Sequence, residues 1–153
     1  MATLAELLGA SQVRPRVVSA CARLIDEEMA RKRGLRAMAL KAGYKTVKGL
    51  RPGFVPAVVD FLLDEFCAAL DPFYRRWSEG PADARPPLAR ALEAERDAVA
   101  EALLGVTDRR ADRSTNRVVV KIYRKLRPTA KEHVLEALPG LGRSIEPFLR
   151  SSV

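Results

Sequence analysis

The sequence predicts an all-α fold, a compact helical domain of about seven to nine helices built from two similar halves. Three observations carry this. Apolar residues recur at helical spacing along nearly the whole chain. The one run that tempts a strand reading, Val118-Val119-Val120, sits inside a helical period and has no partner strand. The third observation is a repeated order of words. Lys41, Lys45 and Lys48 form an i, i+4, i+7 stripe, and Arg117, Lys121 and Arg124 repeat it 76 positions later. Leu126-Arg127-Pro128 answers Leu50-Arg51-Pro52, and Glu146-Pro147-Phe148 answers Asp71-Pro72-Phe73. Two related halves, 1–80 and 81–153, sharing one core, would give the order of the matches; so would chance, since basic amphipathic helices in an Arg- and Ala-rich chain align easily. The four Arg-Pro words beginning at 14, 51, 85 and 127 also fit a HEAT-like array of helical hairpins.

The elements follow from local signals. Thr3-Leu4-Ala5-Glu6 is a capping box, so a short helix spans 4–8 and stops at Gly9. Val17, Val18, Cys21, Leu24, Ile25 and Met29 give the apolar face of a long helix over about 13–32, closed by Gly34. The basic helix follows over 35–49. It is apolar on most of its circumference, and Ala39, Ala42 and Gly43 are small enough for another helix to pack close. Arg51-Pro52-Gly53 ends it, because the residue before proline is pushed out of the α region. A fourth helix covers 54–70.

Asp71-Pro72 reads as an N-cap acid with Pro at N1, opening a fifth helix that ends by Gly80. Residues 80–87, GPADARPP, are the linker between halves. A sixth helix covers 87–104, then a polar loop runs 107–114. Helix seven spans 114–127. A second capping box, Thr129-Ala130-Lys131-Glu132, opens helix eight to Leu138. Pro139-Gly140-Leu141-Gly142 breaks it, and Ser144 caps a last helix to Leu149. Ser151-Ser152-Val153 should fray.

With 153 residues and 48% hydrophobic content, the chain can bury a real core. No run reaches the roughly 20 apolar residues of a membrane span, and no signal-peptide pattern opens the chain. Cytoplasm is the default compartment. Cys21 and Cys67 are far apart and fall in helical patterns, so two buried free thiols are expected before a disulfide.

The run LKAGYKTVKGLRPGFVPAVVDFLLDEFCAALDPF resembles a family of small bacterial proteins with no assigned function. Lys41, Ala42, Tyr44, Lys48, Pro52, Asp71, Pro72 and Phe73 carry the likeness, which continues through the later ALPGLG segment. The resemblance implies an all-helical bacterial domain and brings no catalytic residues with it.

Little in the sequence points to catalysis, so no cofactor or metal and no enzyme activity is expected. His133 is the single histidine, and beside Glu132 and Glu136 it reads as an edge residue. Asp60, Asp64 and Glu65, with Glu27 and Glu28, read as a solvated face or as internal partners for bases. The Gly-containing turns lack phosphate-loop spacing.

Charge is the one functional signal. The net charge is +8, concentrated in two blocks. Residues 31–51 hold eight bases (Arg31, Lys32, Arg33, Arg36, Lys41, Lys45, Lys48 and Arg51) and no acid. Residues 109–131 hold nine bases against Asp112. Lys41, Lys45, Lys48 and Arg51, with Arg117, Lys121, Arg124 and Arg127, are therefore the candidate anion or partner surface. Tyr74, Arg75 and Trp77 are a candidate protein interface, or else core beneath the linker. The expected role is a non-enzymatic interaction or scaffold module, with a nucleic-acid-binding accessory protein as the alternative and an enzyme of unrecognised type last. A protein partner or self-association stands ahead of nucleic acid, and nucleic acid ahead of an anionic membrane surface.

Overall fold

A computed structural model describes residues 2–150, apart from the side chain of Arg36. The expected fraying of Ser151-Ser152-Val153 falls outside the described residues. Among those described there are seven helices and no strand: α1 (Leu4–Gly9), α2 (Arg14–Arg31), α3 (Leu35–Leu50), α4 (Phe54–Ser78), α5 (Leu88–Ala94), α6 (Arg96–Arg113) and α7 (Arg117–Arg150). Val118-Val119-Val120 lies in α7.

The capping box forms at α1. Thr3 Oγ1 accepts from the Glu6 amide at 3.1 Å, and the Glu6 carboxylate accepts from the Thr3 amide at 3.2 Å. Two glycines adopt positive φ, Gly34 at 93° and Gly53 at 83°, and each immediately precedes a helix.

Three expected breaks do not occur. α4 runs on through Pro72 instead of restarting at Asp71. The pieces expected at 114–127, 129–138 and 144–149 are one 34-residue helix, α7, with Pro128, Pro139 and Pro147 inside it. The expected loop at 107–114 is helical to Arg113, and the single sixth helix is two, divided at Glu95. An interior proline forfeits one backbone hydrogen bond and crowds the preceding turn, at about 3 kcal/mol. α7 packs on α1, α2, α5 and α6, and that burial outweighs the loss.

The repeated word shows what makes a break. Leu50-Arg51-Pro52 is followed by Gly53, whose positive φ turns the chain. Leu126-Arg127-Pro128 is followed by Thr129, a β-branched residue for which that conformation is strained, and the helix continues.

One core cluster draws on residues from both sides of the 80–87 segment. It includes Leu4, Leu8, Val17, Leu63 and Cys67 before that segment, and Leu88, Val99, Leu138 and Ile145 after it. Both cysteines are free thiols. Arg14 ties α2 to α4, with Nε 2.6 Å from Asp60 Oδ1 and Nη1 2.9 Å from Asp64 Oδ1. Arg110 on α6 pairs with Glu65 on α4. The acidic face of α4 therefore serves as an internal partner for bases.

Candidate interaction surface

α3 is the least embedded of the long helices. Among its described side chains only Ala37 is buried. Its anchor is polar and lies on α2. Tyr44 Oη donates to Asp26 Oδ1 at 2.5 Å, and Lys48 Nζ donates to the same oxygen at 2.7 Å. Lys41 Nζ reaches the carbonyls of Lys32 (3.3 Å) and Ala30 (3.5 Å) at the C-terminus of α2, where a cation is favoured by the helix dipole. Lys48 first, and Tyr44 second, hold the Asp26 carboxyl below the usual carboxylate range. Desolvation first, and Asp26 second, push the Tyr44 phenol up.

The start of α7 is anchored the same way to α6. Tyr123 Oη donates to Asp108 Oδ1 at 2.5 Å, and Arg127 Nε donates to it at 2.9 Å. Arg127 holds the Asp108 carboxyl down, with Tyr123 adding to the effect.

The two basic stripes therefore differ in use. In the first, Lys41 and Lys48 are spent inside the molecule, Arg51 lies 5.9 Å from the Phe54 ring, and Lys45 is exposed without an ion pair among the described residues. In the second, Arg127 is spent on Asp108, whereas Arg117, Lys121 and Arg124 are exposed and make no ion pair among the described residues. The candidate aromatic interface is not on the surface. Tyr74 and Trp77 are buried in the core with ring centroids 6.2 Å apart. Trp77 Nε1 donates to the Pro86 carbonyl at 2.8 Å. Arg75 is exposed and pairs with Asp71 at 2.6 Å.

The sequence reading missed the main surface feature. All the large exposed hydrophobic side chains among the described residues fall in three stretches. They are Leu35, Met38, Val47 and Leu50 on α3; Phe54, Val58 and Phe61 at the start of α4; and Val118, Val119, Ile122 and Leu126 at the start of α7. Between these helices runs a groove of about 850 Å3. Leu40, Tyr44 and Val47 line one side, Ile122 and Leu126 the other, and Phe54 and Val55 contribute from α4. Its far end is polar, with Arg31, Lys32 and Arg33 from the end of α2 facing Glu132, His133 and Glu136. Lys32 bridges this end to Glu136 at 3.1 Å.

His133 Nδ1 is buried there without a hydrogen-bond partner among the described residues. Desolvation, then Lys32, lower its pKa, so the imidazole is neutral at pH 7. The signal for the groove was present in the apolar circumference of α3. That pattern ordinarily means burial, and here most of it is left exposed among the described residues.

No group of three or more His, Cys, Asp or Glu side chains able to hold a metal ion occurs among the described residues. No helix among them is long and apolar enough to cross a membrane. A family model, the family of unknown function DUF6918, matches residues 4–149. The chain belongs to that family. No curated protein matches the chain, and no solved structure does. Membership in DUF6918 assigns no reaction and no partner, so the reading of function rests on the groove and on the unpaired bases.

Proposed function

We propose that this DUF6918 protein is a non-enzymatic docking module that takes an amphipathic helix of a partner protein into the groove between α3 and α7. The observation that carries this is that Val47, Phe54, Ile122 and Leu126, exposed hydrophobic side chains from three helices, all line one groove. Soluble proteins seldom leave a contiguous apolar surface of that kind without a partner. The shape fits as well. The 16-residue α3 is about 24 Å long, room for some four turns of a docked helix. Helix-in-groove recognition needs an apolar stripe on the ligand and flanking charges that match the rim.

The rim favours an acidic partner over a second copy of this chain. Arg33 and Lys45 are exposed without an ion pair among the described residues, and residues 31–51 contain no acid. Two copies meeting through α3 would oppose like charges. Gly43 lies on the groove side of α3, and a Cβ added there would meet nothing within 4 Å among the described residues. A mid-helix glycine lowers helix stability, and its missing side chain lets a docked helix approach closely.

The test places a photocrosslinking residue at Leu40 or at Ile122 in the native cells, with Ala94 on α5 as the remote control. The expected result is one discrete adduct from both groove positions, absent from Ala94 and lost when Val47→Glu is added. Equal labelling from Ala94, or no groove adduct, would overturn the reading.

A further inference from the structure

A second surface stands apart from the groove lining, and different residues carry it. The Arg110–Glu65 pair and the 2.8 Å Arg76–Glu95 pair run α4 and α6 antiparallel. Arg127–Asp108 and Lys131–Glu101 do the same for α6 and α7. The turn between α3 and α4 and the turn between α6 and α7 therefore lie at one end of the molecule.

That end is rich in uncompensated positive charge. Arg109, Arg113, Arg117, Lys121, Arg124 and Lys125 are exposed, and none makes an ion pair among the described residues. Asp112 is the single acid from 109 to 131. Apolar side chains project beside these bases. Leu50 is 77% exposed, Val118 68%, Phe61 64% and Val119 52%. None of these four lines the groove.

We infer that this end of the molecule seats on an anionic bilayer surface, with the bases against lipid phosphates and Leu50, Phe61, Val118 and Val119 in the headgroup–acyl boundary. Bases alone would suit any polyanion. The apolar residues among them decide between partners. A duplex backbone offers Val118 and Val119 nothing apolar, whereas a membrane interface takes apolar and cationic groups side by side. Lys121 and Arg124 have the long aliphatic stems that let a charge stay at phosphate level while the stem packs on the apolar zone.

The test is flotation of the full chain with vesicles of phosphatidylglycerol mixed with phosphatidylcholine, and with vesicles of phosphatidylcholine alone. Binding to the anionic vesicles only, weakened by salt, is expected. The triple variant Arg117→Glu/Lys121→Glu/Arg124→Glu should lower partitioning on the order of a hundredfold or more, since each base near the surface contributes several-fold. Val118→Ser/Val119→Ser should lower it about tenfold, with circular dichroism unchanged because both sites are exposed. Val47→Glu, which disables the groove, should leave vesicle binding intact, so the two readings fail separately. No binding to anionic vesicles at low salt overturns the inference, as does equal binding to phosphatidylcholine. So does tight binding of a labelled DNA duplex that the charge variant abolishes and the valine variant leaves untouched, because that pattern assigns the bases to nucleic acid.

Discussion

Asp71 and Glu146 perform the same task in two parts of the molecule. Asp71 on α4 accepts from the Leu4 amide at 2.8 Å, at the first residue of α1. Glu146 on α7 accepts from the Leu88 amide at 2.6 Å, at the first residue of α5. Each precedes a proline within a long helix, and each is held by an arginine four residues on, Arg75 or Arg150. The short helices α1 and α5 are thus capped from a distant helix, in the manner of an N-cap side chain. Replacing Asp71 or Glu146 with Ala should each lower unfolding free energy by about 1–2 kcal/mol. Asp71→Asn, which keeps the acceptor, should cost less. Urea denaturation of the three variants checks the order.

Gly142 and Gly43 should respond oppositely to alanine. A Cβ on Gly142 would lie 2.4 Å from the Ala89 Cα and 2.5 Å from its amide nitrogen, both backbone atoms of α5. α5 cannot yield there without moving bodily. Gly142→Ala should therefore destabilise by about 2–3 kcal/mol through overpacking. A Cβ on Gly43 would meet nothing within 4 Å among the described residues, so Gly43→Ala should stabilise by up to about 1 kcal/mol through helix propensity alone. Thermal melts of both variants give the signs directly, and a Gly43→Ala protein that melts lower would show α3 packed in a way the structure excludes.

These contacts also mark where the sequence was legible. The starts of α1 and α2, the turns at Gly34 and Gly53 and the helical nature of Val118-Val119-Val120 all follow from local chemistry. Asp71-Pro72, Thr129-Ala130-Lys131-Glu132 and Pro139-Gly140-Leu141-Gly142 carry the same chemistry and signal boundaries by local rules. They sit inside helices because their requirements are set by distant partners. Asp71 caps a helix 67 residues away, and Gly142 is small because α5 presses on it. The stripes were legible as stripes. Which lysines remain available was not, since Asp26 and Asp108 are supplied by other helices and no spacing rule connects them to Lys48 or Arg127.

The two thiols should make the fold sensitive to alkali. Burial pushes Cys21 up to about 11 from its ordinary 9.0, and burial first, then the charge of Asp64, pushes Cys67 up to about 12. A raised folded-state pKa means the contribution is fully present below pH 9.0 and is lost as pH rises toward 11 and 12. Within that window each thiol should contribute a slope of about 1.4 kcal/mol per pH unit. Urea midpoints measured upward from pH 9 should fall, and they should fall less steeply in Cys67→Ala. Native-state alkylation near neutral pH should be slow at both positions, because the thiolate is the nucleophile.

α3 should be the first helix to open. It buries only Ala37 among its described side chains, and the Tyr44–Asp26–Lys48 cluster that fastens it to α2 is partly exposed. Amide exchange protection reflects buried contacts and packed neighbours, so amides of residues 38–50 should exchange faster than those of α2 or of α4 from Leu63 onward. Asp26→Ala removes the shared acceptor of Tyr44 and Lys48 and should widen that difference, while the unfolding followed through Trp77, the single tryptophan, moves little. The lowered Asp26 pKa gives the same helix a pH signature. The ion pair's contribution is present above the ordinary carboxylate pKa and is lost as pH falls through the lowered folded value. Acid should therefore speed exchange in α3, relative to intrinsic rates, at a pH where the core around Trp77 still holds. An α3 protected as strongly as α4 would mean that its apolar outer face is already covered, and would remove the reason for expecting a partner helix there.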